Sequence, residues 1–359
     1  MPKTLDAVAW ETFQALPPQE KAAYFSPSGA PFNVLLAQQF DRPQLDALGD
    51  LATRIRQVAK RREGMNALRA LLSHKRTMLY FSQPSTRTFL SFCAACEIMG
   101  MAIGEVRDAA TSSEFKGESR EDSVRTFSSY FDLIIMRSQV GGLAERMAWV
   151  LANSDRPVPI INAGSGKDQH PTQALLDIYT LQRSFEQRGG IDGKTVVFVG
   201  DLARGRTVRS LAALLARYTG VRLVFVAPTP LQIGDDVLTM LDAAGVAWSR
   251  THDMKSAIAG CDAVYMTRVQ DEWDNVKGES GRIDISDYCF GPEHLTILPP
   301  TAVILHPFPR RCEIDPRVDD DPRAVYWRQM RNGMWIRAAL IATLFEVRNA
   351  VYTLHGTFA

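Results

Sequence analysis

Seven short apolar runs rich in β-branched residues punctuate the chain, and stretches of helical periodicity separate them. RTMLYF (76–81), DLIIM (132–136) and VPIIN (158–162) lie in the first half. KTVVFVG (194–200), VRLVFVA (221–227), DAVYMT (262–267) and TAVILH (301–306) lie in the second. Runs this continuous have no polar face, so each strand must be covered on both sides. Between them, Leu45, Leu48, Leu51, Ile55 and Val58 step by three and four along one helical face. Strands buried on both faces and joined by helices give parallel sheets of the doubly wound α/β class. At 359 residues the chain exceeds one ordinary core, so two such sheets, in two domains with a cleft between them, are expected.

The punctuation refines this outline. Residues 1–32 form an appendage with one helical pattern, ended by Pro17 and Pro18. A break falls near AGSGKDQHPTQALLDIYTL, where a Gly-rich turn follows a strand and a long helix starts after Pro171. The last apolar helix, GMWIRAALIATLFEVRNAV, is expected to begin at Gly333. Lys plus Arg number 41 against 40 for Asp plus Glu, so no bulk basic excess points to nucleic acid or an anionic membrane. Anion binding must come from local clusters. The five cysteines (Cys93, Cys96, Cys261, Cys289, Cys312) are too scattered for a disulfide framework, and the C-x-x-C of Cys93 and Cys96 lies in an apolar segment that reads as core. No run approaches the ~18 apolar residues of a membrane span. The first residues carry Asp6 and Glu11 and no arginine precedes Arg42, which fits neither a secretory signal nor an Arg-rich transit peptide; a cytoplasmic protein is expected.

The segment FSQPSTRTFLSF (81–92) sets Ser85, Thr86, Arg87 and Thr88 between a strand and a helix. Pro84 keeps Gln83 out of the helical region, so the helix starts at the hydroxyls. A helix cap uses one hydroxyl. Three hydroxyls and a guanidinium exceed that need and point to an oxyanion site at a helix N-terminus, suited to a small phosphate-bearing substrate. Two imitations drop out: GSGKD (164–168) lacks the P-loop's first glycine, since position 161 is Ile, and VVFVGDLARGRT carries Leu202 where a dinucleotide turn needs glycine. Other polar residues also follow strands, where open α/β sheets bind ligands. Arg137 ends DLIIM; His170 and Gln173 sit in QHPTQ at a helix start; Arg206 follows VVFVGDLARG; Arg268 and Gln270 follow DAVYMT. HPFPR (306–310) ends the last strand with two prolines that fix its backbone carbonyls. A surface ion pair or a structural histidine explains any one of these, but not cations and amides at the ends of at least four strands.

The order and spacing of these motifs are specific. PSTRT, KGES with Ser112 ahead of it, IIMR, NAGSGKDQHPTQALLD, GDLARGRTV, YMTRVQ, LHPFPR and NGMWIRAAL run from about residue 33 to the C-terminus. Over that span the chain closely resembles the aspartate/ornithine carbamoyltransferase family, on its aspartate-using branch. The resemblance implies a carbamoyl phosphate-binding domain (33–170 plus 332–359), an aspartate-binding domain (171–331) and an active site in the cleft between them. It implies transfer of the carbamoyl group of carbamoyl phosphate to the amine of L-aspartate, a step of de novo pyrimidine biosynthesis, with no cofactor and no metal. Ser85, Thr86, Arg87 and Thr88 would hold the phosphate. Arg137, His170 and Thr88 would bind the carbonyl oxygen, and Gln173 with the Pro307 and Phe308 carbonyls the amino group. Arg206, Arg268 and Gln270 would hold the two carboxylates of L-aspartate. Ser112 and Lys116 would lie on a loop that reaches into a neighbouring subunit's site, with Lys116 serving both substrates, so the implied assembly is a homotrimer at minimum, open to a larger one with another subunit. The implied catalytic set is Arg87, Thr88, Lys116, Arg137 and His170.

The chemistry suits those residues. An amine attacking a carbonyl develops negative charge on its oxygen, which fixed donors stabilise, and the leaving phosphate can accept the amine proton. His170 then acts as a neutral hydrogen-bond donor. Two arginines and a lysine suit a dicarboxylate and repel ornithine's ammonium; the ornithine branch typically has Cys where this chain has Pro307. The chain departs from the family at Gln83, often acidic, at Phe89, commonly basic, and near Trp273, where a basic residue is common; these bear on charge pairs that favour domain closure. Two other readings stand beside this one: a different amine acceptor, or a catalytically silent scaffold paralogue, which would have lost site residues. The appendage is expected to pack either on a neighbouring subunit or partner, or on its own domain.

Overall fold

The computed structural model describes residues 3–26, 31–107, 117–166, 168–274, 278 and 280–358. The chain divides into two compact units, Met1–Leu176 with Arg331–Ala359, and Asp177–Met330. The first contains a four-stranded sheet of β1 (Arg76–Phe81), β2 (Ala102–Val106), β3 (Leu133–Ser138) and β4 (Ile160–Ser165), in the order β2-β1-β3-β4. The second contains β5 (Thr195–Val199), β6 (Arg222–Val226), β7 (Ala247–Thr251), β8 (Ala263–Met266) and β9 (Val303–Leu305), in the order β7-β6-β5-β8-β9. Every pairing in both sheets is parallel, and helices connect the strands. This is the doubly wound α/β class expected from the apolar runs.

All seven runs are strands. β2 and β7 add an edge to each sheet, and neither has an apolar run: AIGEV and AWSRT are partly exposed along their length. The helix Arg42–Val58 buries all five residues of its apolar stripe. Asp41 caps it by accepting from Gln44 N–H at 2.8 Å, while Gln44 Oε1 accepts from Asp41 N–H at 3.0 Å. The C-terminal region differs from expectation. One helix runs Tyr326–Leu344, starting seven residues before Gly333, and a second runs Arg348–Phe358. The first turns of Tyr326–Leu344 bury Tyr326 together with the polar Gln329 and Asn332, so no continuous apolar face marks them. Glu346 takes a left-handed φ of 58° and ends the first helix.

The appendage packs on its own unit. Leu5, Phe13 and Phe25 are buried in one core with Met147, Ala148 and Leu151 of the helix Leu143–Ala152. Trp149 Nε1 donates to Val8 O at 2.8 Å, and Lys21 Nζ meets Glu145 Oε2 at 2.8 Å. Just beyond it, Val34 pairs in parallel with Ile161, extending the β4 edge by one bridge. Among the described residues no helix is long and apolar enough to cross a membrane.

Strand order fixes where ligands can go. In the first unit the chain reverses direction of winding between β1 and β3; in the second, between β5 and β8. At such a point the connections leave the carboxyl ends of adjacent strands on opposite faces and open a crevice.

Candidate active site

The first unit brings the phosphate segment and Arg137 to its switch point. Phe81 and Arg137 are register partners at the ends of β1 and β3. Ser82 donates to the Arg137 carbonyl through its backbone N–H at 3.0 Å and its hydroxyl at 3.2 Å. The helix then runs Thr86–Met99 with Ser85 at its N-cap position, where Ser85 makes no side-chain cap hydrogen bond. The polar cluster therefore does not serve as an ordinary cap. Thr86 and Arg87 are exposed, Ser85 is half-buried and Thr88 is buried beneath them. Amides and hydroxyls at a helix start, with a guanidinium beside them, form an anion-binding arrangement.

Arg137 and His170 meet in the same unit. Arg137 is 9% exposed; its Nη1 donates to Ala163 O at 3.0 Å and lies 3.4 Å from His170 Nε2. Arginine has only donors, so Nε2 is the acceptor and the imidazole is neutral with its proton on Nδ1. Gly164 makes the approach feasible: at φ 118°, a Cβ there would come within 2.7 Å of Arg137 Nη1 and 3.3 Å of His170 Cδ2. The loop carrying His170 is pinned by Asn162 Oδ1 accepting from Gly164 N–H at 2.8 Å and by Ser165 N–H donating to Gln169 O at 3.1 Å. The His170 carbonyl accepts from Gln173 N–H at 3.0 Å and starts the helix Pro171–Phe185, placing Gln173 in its first turn. Phe89, where the family is commonly basic, is buried edge-on against Phe81, and the Arg107 guanidinium lies 4.2 Å from its ring centroid. Ser112 and Lys116 lie outside the described residues.

The second unit gathers Arg206, Arg268 and Gln270 at its own switch point. Arg206 opens the helix Arg206–Leu215 after β5, and Arg268 and Gln270 follow β8. Gly200, at φ 114°, lets these two strand ends close up, since a Cβ would sit 2.1 Å from Thr267 O. Asp201 then ties the two segments: its carboxylate accepts from Arg204 N–H at 3.2 Å, Arg204 Nε at 2.9 Å and Gln270 N–H at 3.0 Å. Burial pushes the Asp201 carboxyl up from its ordinary range. Arg204 continues to Asp274 at 2.7 Å. Arg268 pairs with Glu272 through both terminal nitrogens and lies 3.7 Å from Asp271, which Arg311 holds bidentately at 2.9 and 3.0 Å. After β9, Pro307 and Phe308 form a turn in which Phe308 has φ 56° and a cis bond to Pro309.

Sequence reasoning missed Asp201, Glu272, Asp271 and Arg311. Glu272 has a readable signal, four residues after Arg268. Asp201 has one only in hindsight of the strand pairing, because an acid after a strand ordinarily reads as surface. Cys96 is fully buried, and burial pushes its thiol up to about 12, as for a core residue.

Comparison with known proteins matches this layout. Residues 33–183 match the family described as aspartate/ornithine carbamoyltransferase, carbamoyl-P binding domain, and residues 192–344 match the Asp/Orn binding domain of that family. Aspartate carbamoyltransferase 1, chloroplastic, of Pisum sativum is 41% identical over 316 residues, 87% of this chain and 78% of that one. The aspartate carbamoyltransferase catalytic subunit of Vibrio cholerae is 44% identical over 277 residues, 77% of this chain and 87% of that one. A solved structure of aspartate transcarbamoylase from Trypanosoma cruzi, in complex with carbamoyl aspartate and phosphate, superposes with a TM-score of 0.76 at 34% identity, covering 87% of this chain and 94% of that chain. With both of its units matched, the chain belongs to the aspartate/ornithine carbamoyltransferase family.

Proposed function

We propose that the chain transfers the carbamoyl group of carbamoyl phosphate to the amine of L-aspartate, releasing N-carbamoyl-L-aspartate and phosphate. The observation that carries this reading is that each sheet's switch point holds one chemically distinct set: an oxyanion cluster in the first unit, and arginines with an amide in the second. The first unit holds the donor. Ser85, Thr86, Arg87 and Thr88 take the phosphate, Arg137, His170 and Thr88 the carbonyl oxygen, and Gln173 part of the amino group. The second unit supplies Arg206, Arg268 and Gln270 for the two carboxylates of aspartate, and the Pro307 and Phe308 carbonyls for the donor's amino group.

Charge on the carbonyl oxygen grows as the amine attacks. Donors already fixed there stabilise the transition state more than the ground state, each by about 10²-fold or more. Phosphate leaves and takes the amine proton, so the step needs neither a general base nor a covalent intermediate. Holding two small anions together supplies much of the remaining rate. Ser112 and Lys116 complete the site from a neighbouring subunit of a homotrimer. Mixed trimers of Lys116→Ala and Arg137→Ala chains regain activity that neither homotrimer has; failure to regain it contradicts shared sites.

The test of the reaction is ureido-product formation from carbamoyl phosphate with L-aspartate, L-ornithine or putrescine. Product with aspartate alone is expected. Product with another amine relocates the error to Arg206, Arg268 and Gln270, and none with any acceptor supports a scaffold chain instead.

A further inference from the structure

The turn after β9 is fastened by a buried polar network drawn from four elements. Both oxygens of the Glu313 carboxylate accept from Arg311 N–H at 3.1 Å, and Oε1 also meets His306 Nε2 at 2.7 Å. On the far side of the ring, Phe308 N–H donates to His306 Nδ1 at 2.7 Å. An amide N–H can only donate, so Nδ1 is the acceptor and Nε2 carries the proton given to Glu313. The imidazole is neutral and its tautomer is set by the carboxylate. The His306 N–H donates to Gln329 Oε1 at 2.9 Å, and Gln329 Nε2 donates to Asp177 Oδ1 at 2.6 Å. Tyr265, on β8, donates its hydroxyl to Asp177 Oδ2 at 2.8 Å.

The side chains that carry this network are buried: His306 and Gln329 are 1% exposed, Asp177 and Tyr265 0%, and Glu313 4%. Two carboxylates in a core are costly unless their hydrogen bonds are satisfied, and a partly satisfied network is worse than an apolar one. Here they fasten a single short turn. That turn needs fastening, because Phe308 holds a left-handed φ of 56°, which a bulky residue keeps only when its surroundings over-determine it. Its ring is packed against His306, Tyr326 and Trp327 at centroid distances of 5.1 to 5.8 Å.

We propose that Glu313 and His306 are positioning residues for carbamoyl transfer, and that their carboxylate–imidazole pair aims the Pro307 and Phe308 carbonyls at the amino group of the donor. This rests on the proposed function and deepens it, because it assigns to one turn the distinction between a carbamoyl group and an acyl group of the same size. An amino group donates to both carbonyls. A methyl group in its place donates to neither and leaves them desolvated, which is the arrangement that discriminates most strongly.

Acetyl phosphate, with methyl in place of the amino group, is the probe. Affinities for carbamoyl phosphate and acetyl phosphate are measured by calorimetry on the full chain and on Glu313→Gln, His306→Ala and His306→Asn, with circular dichroism to confirm folding. The wild type should prefer carbamoyl phosphate by about tenfold or more, as expected for one or two neutral hydrogen bonds. Glu313→Gln and His306→Ala should lose most of that ratio while acetyl phosphate affinity stays within about twofold. His306→Asn, whose Oδ1 stands where Nδ1 stood, should recover much of it. A folded variant with an unchanged ratio, or one that loses both ligands equally, overturns the inference. A wild type that binds neither ligand overturns the proposed function itself, and the inference with it.

Discussion

Arg137 is held in place by its neighbours within the proposed donor site. It is nearly buried, bonded to Ala163 O and set against a neutral His170, with Gly164 leaving the space. Such a donor is fixed before the reaction starts, so removing it should act on the rate rather than on binding alone. Arg137→Ala is expected to lower kcat by about 10²-fold or more, measured by steady-state kinetics with both substrates saturating; a kcat within threefold of wild type contradicts the role. The turn after β9 makes a separate prediction about pH. Burial holds His306 below its ordinary range, so on acidification the unfolded chain takes up that proton first. The stability that neutral His306 contributes is present above about pH 6.5 and is lost as pH falls below it. Burial pushes Glu313 up, but its interactions with His306 and the backbone N–H groups of Glu313 and Arg311 together outweigh that and leave the carboxyl below its ordinary range. Its contribution fades further down, below about pH 4.3. Urea midpoints should therefore fall between pH 7.5 and 5.5 for the wild type and fall less for His306→Asn. Equal slopes for the two contradict the assignment. At this scale the arginines, His170 and the hydroxyls were legible, since cations at strand ends are conspicuous. The acids that brace the surrounding segments were not: Asp201 and Glu313 gain their meaning from strands and turns brought together across the fold, as between Asp201 and Gln270.

Elements with an apolar face were legible, and those without one were not. The seven buried strands announce themselves because both faces are covered, whereas the edge strands β2 and β7 keep polar, half-exposed residues. The first turns of the helix Tyr326–Leu344 are hidden for a related reason, since beside Tyr326 they bury the polar Gln329 and Asn332. The appendage illustrates a third limit. Its helix is readable, but which surface receives it depends on tertiary packing, and the receiving surface is the helix Leu143–Ala152 of its own unit. Phe13 is fully buried there, with its ring 5.9 Å from Trp10 and 5.7 Å from Phe25. Phe13→Ala should destabilise the protein by about 3–5 kcal/mol, read from urea unfolding. A loss below about 1 kcal/mol would place the appendage outside the core, as a solvated surface substitution would.

At the scale of the whole molecule, two sheets of the same class carry two different chemistries. Each has its own reversal of strand order, and the carboxyl ends at that reversal carry hydroxyls and guanidiniums in one unit and arginines with an amide in the other. The class of both sheets was legible from the runs alone. Which strands adjoin at each reversal was not, because strand order is set by pairing and leaves no mark on any single strand. The division of labour between the units is therefore the central claim, and it predicts that damage to one substrate's binding spares the other. The measurement that tests it most directly is two-substrate steady-state kinetics on Arg87→Ala and Arg268→Ala side by side. Arg87→Ala should raise KM for carbamoyl phosphate by about 10²-fold and leave KM for aspartate within about threefold, and Arg268→Ala should do the reverse, each reflecting a lost charge-assisted contact. Variants that each impair both substrates alike, or neither, would contradict the account.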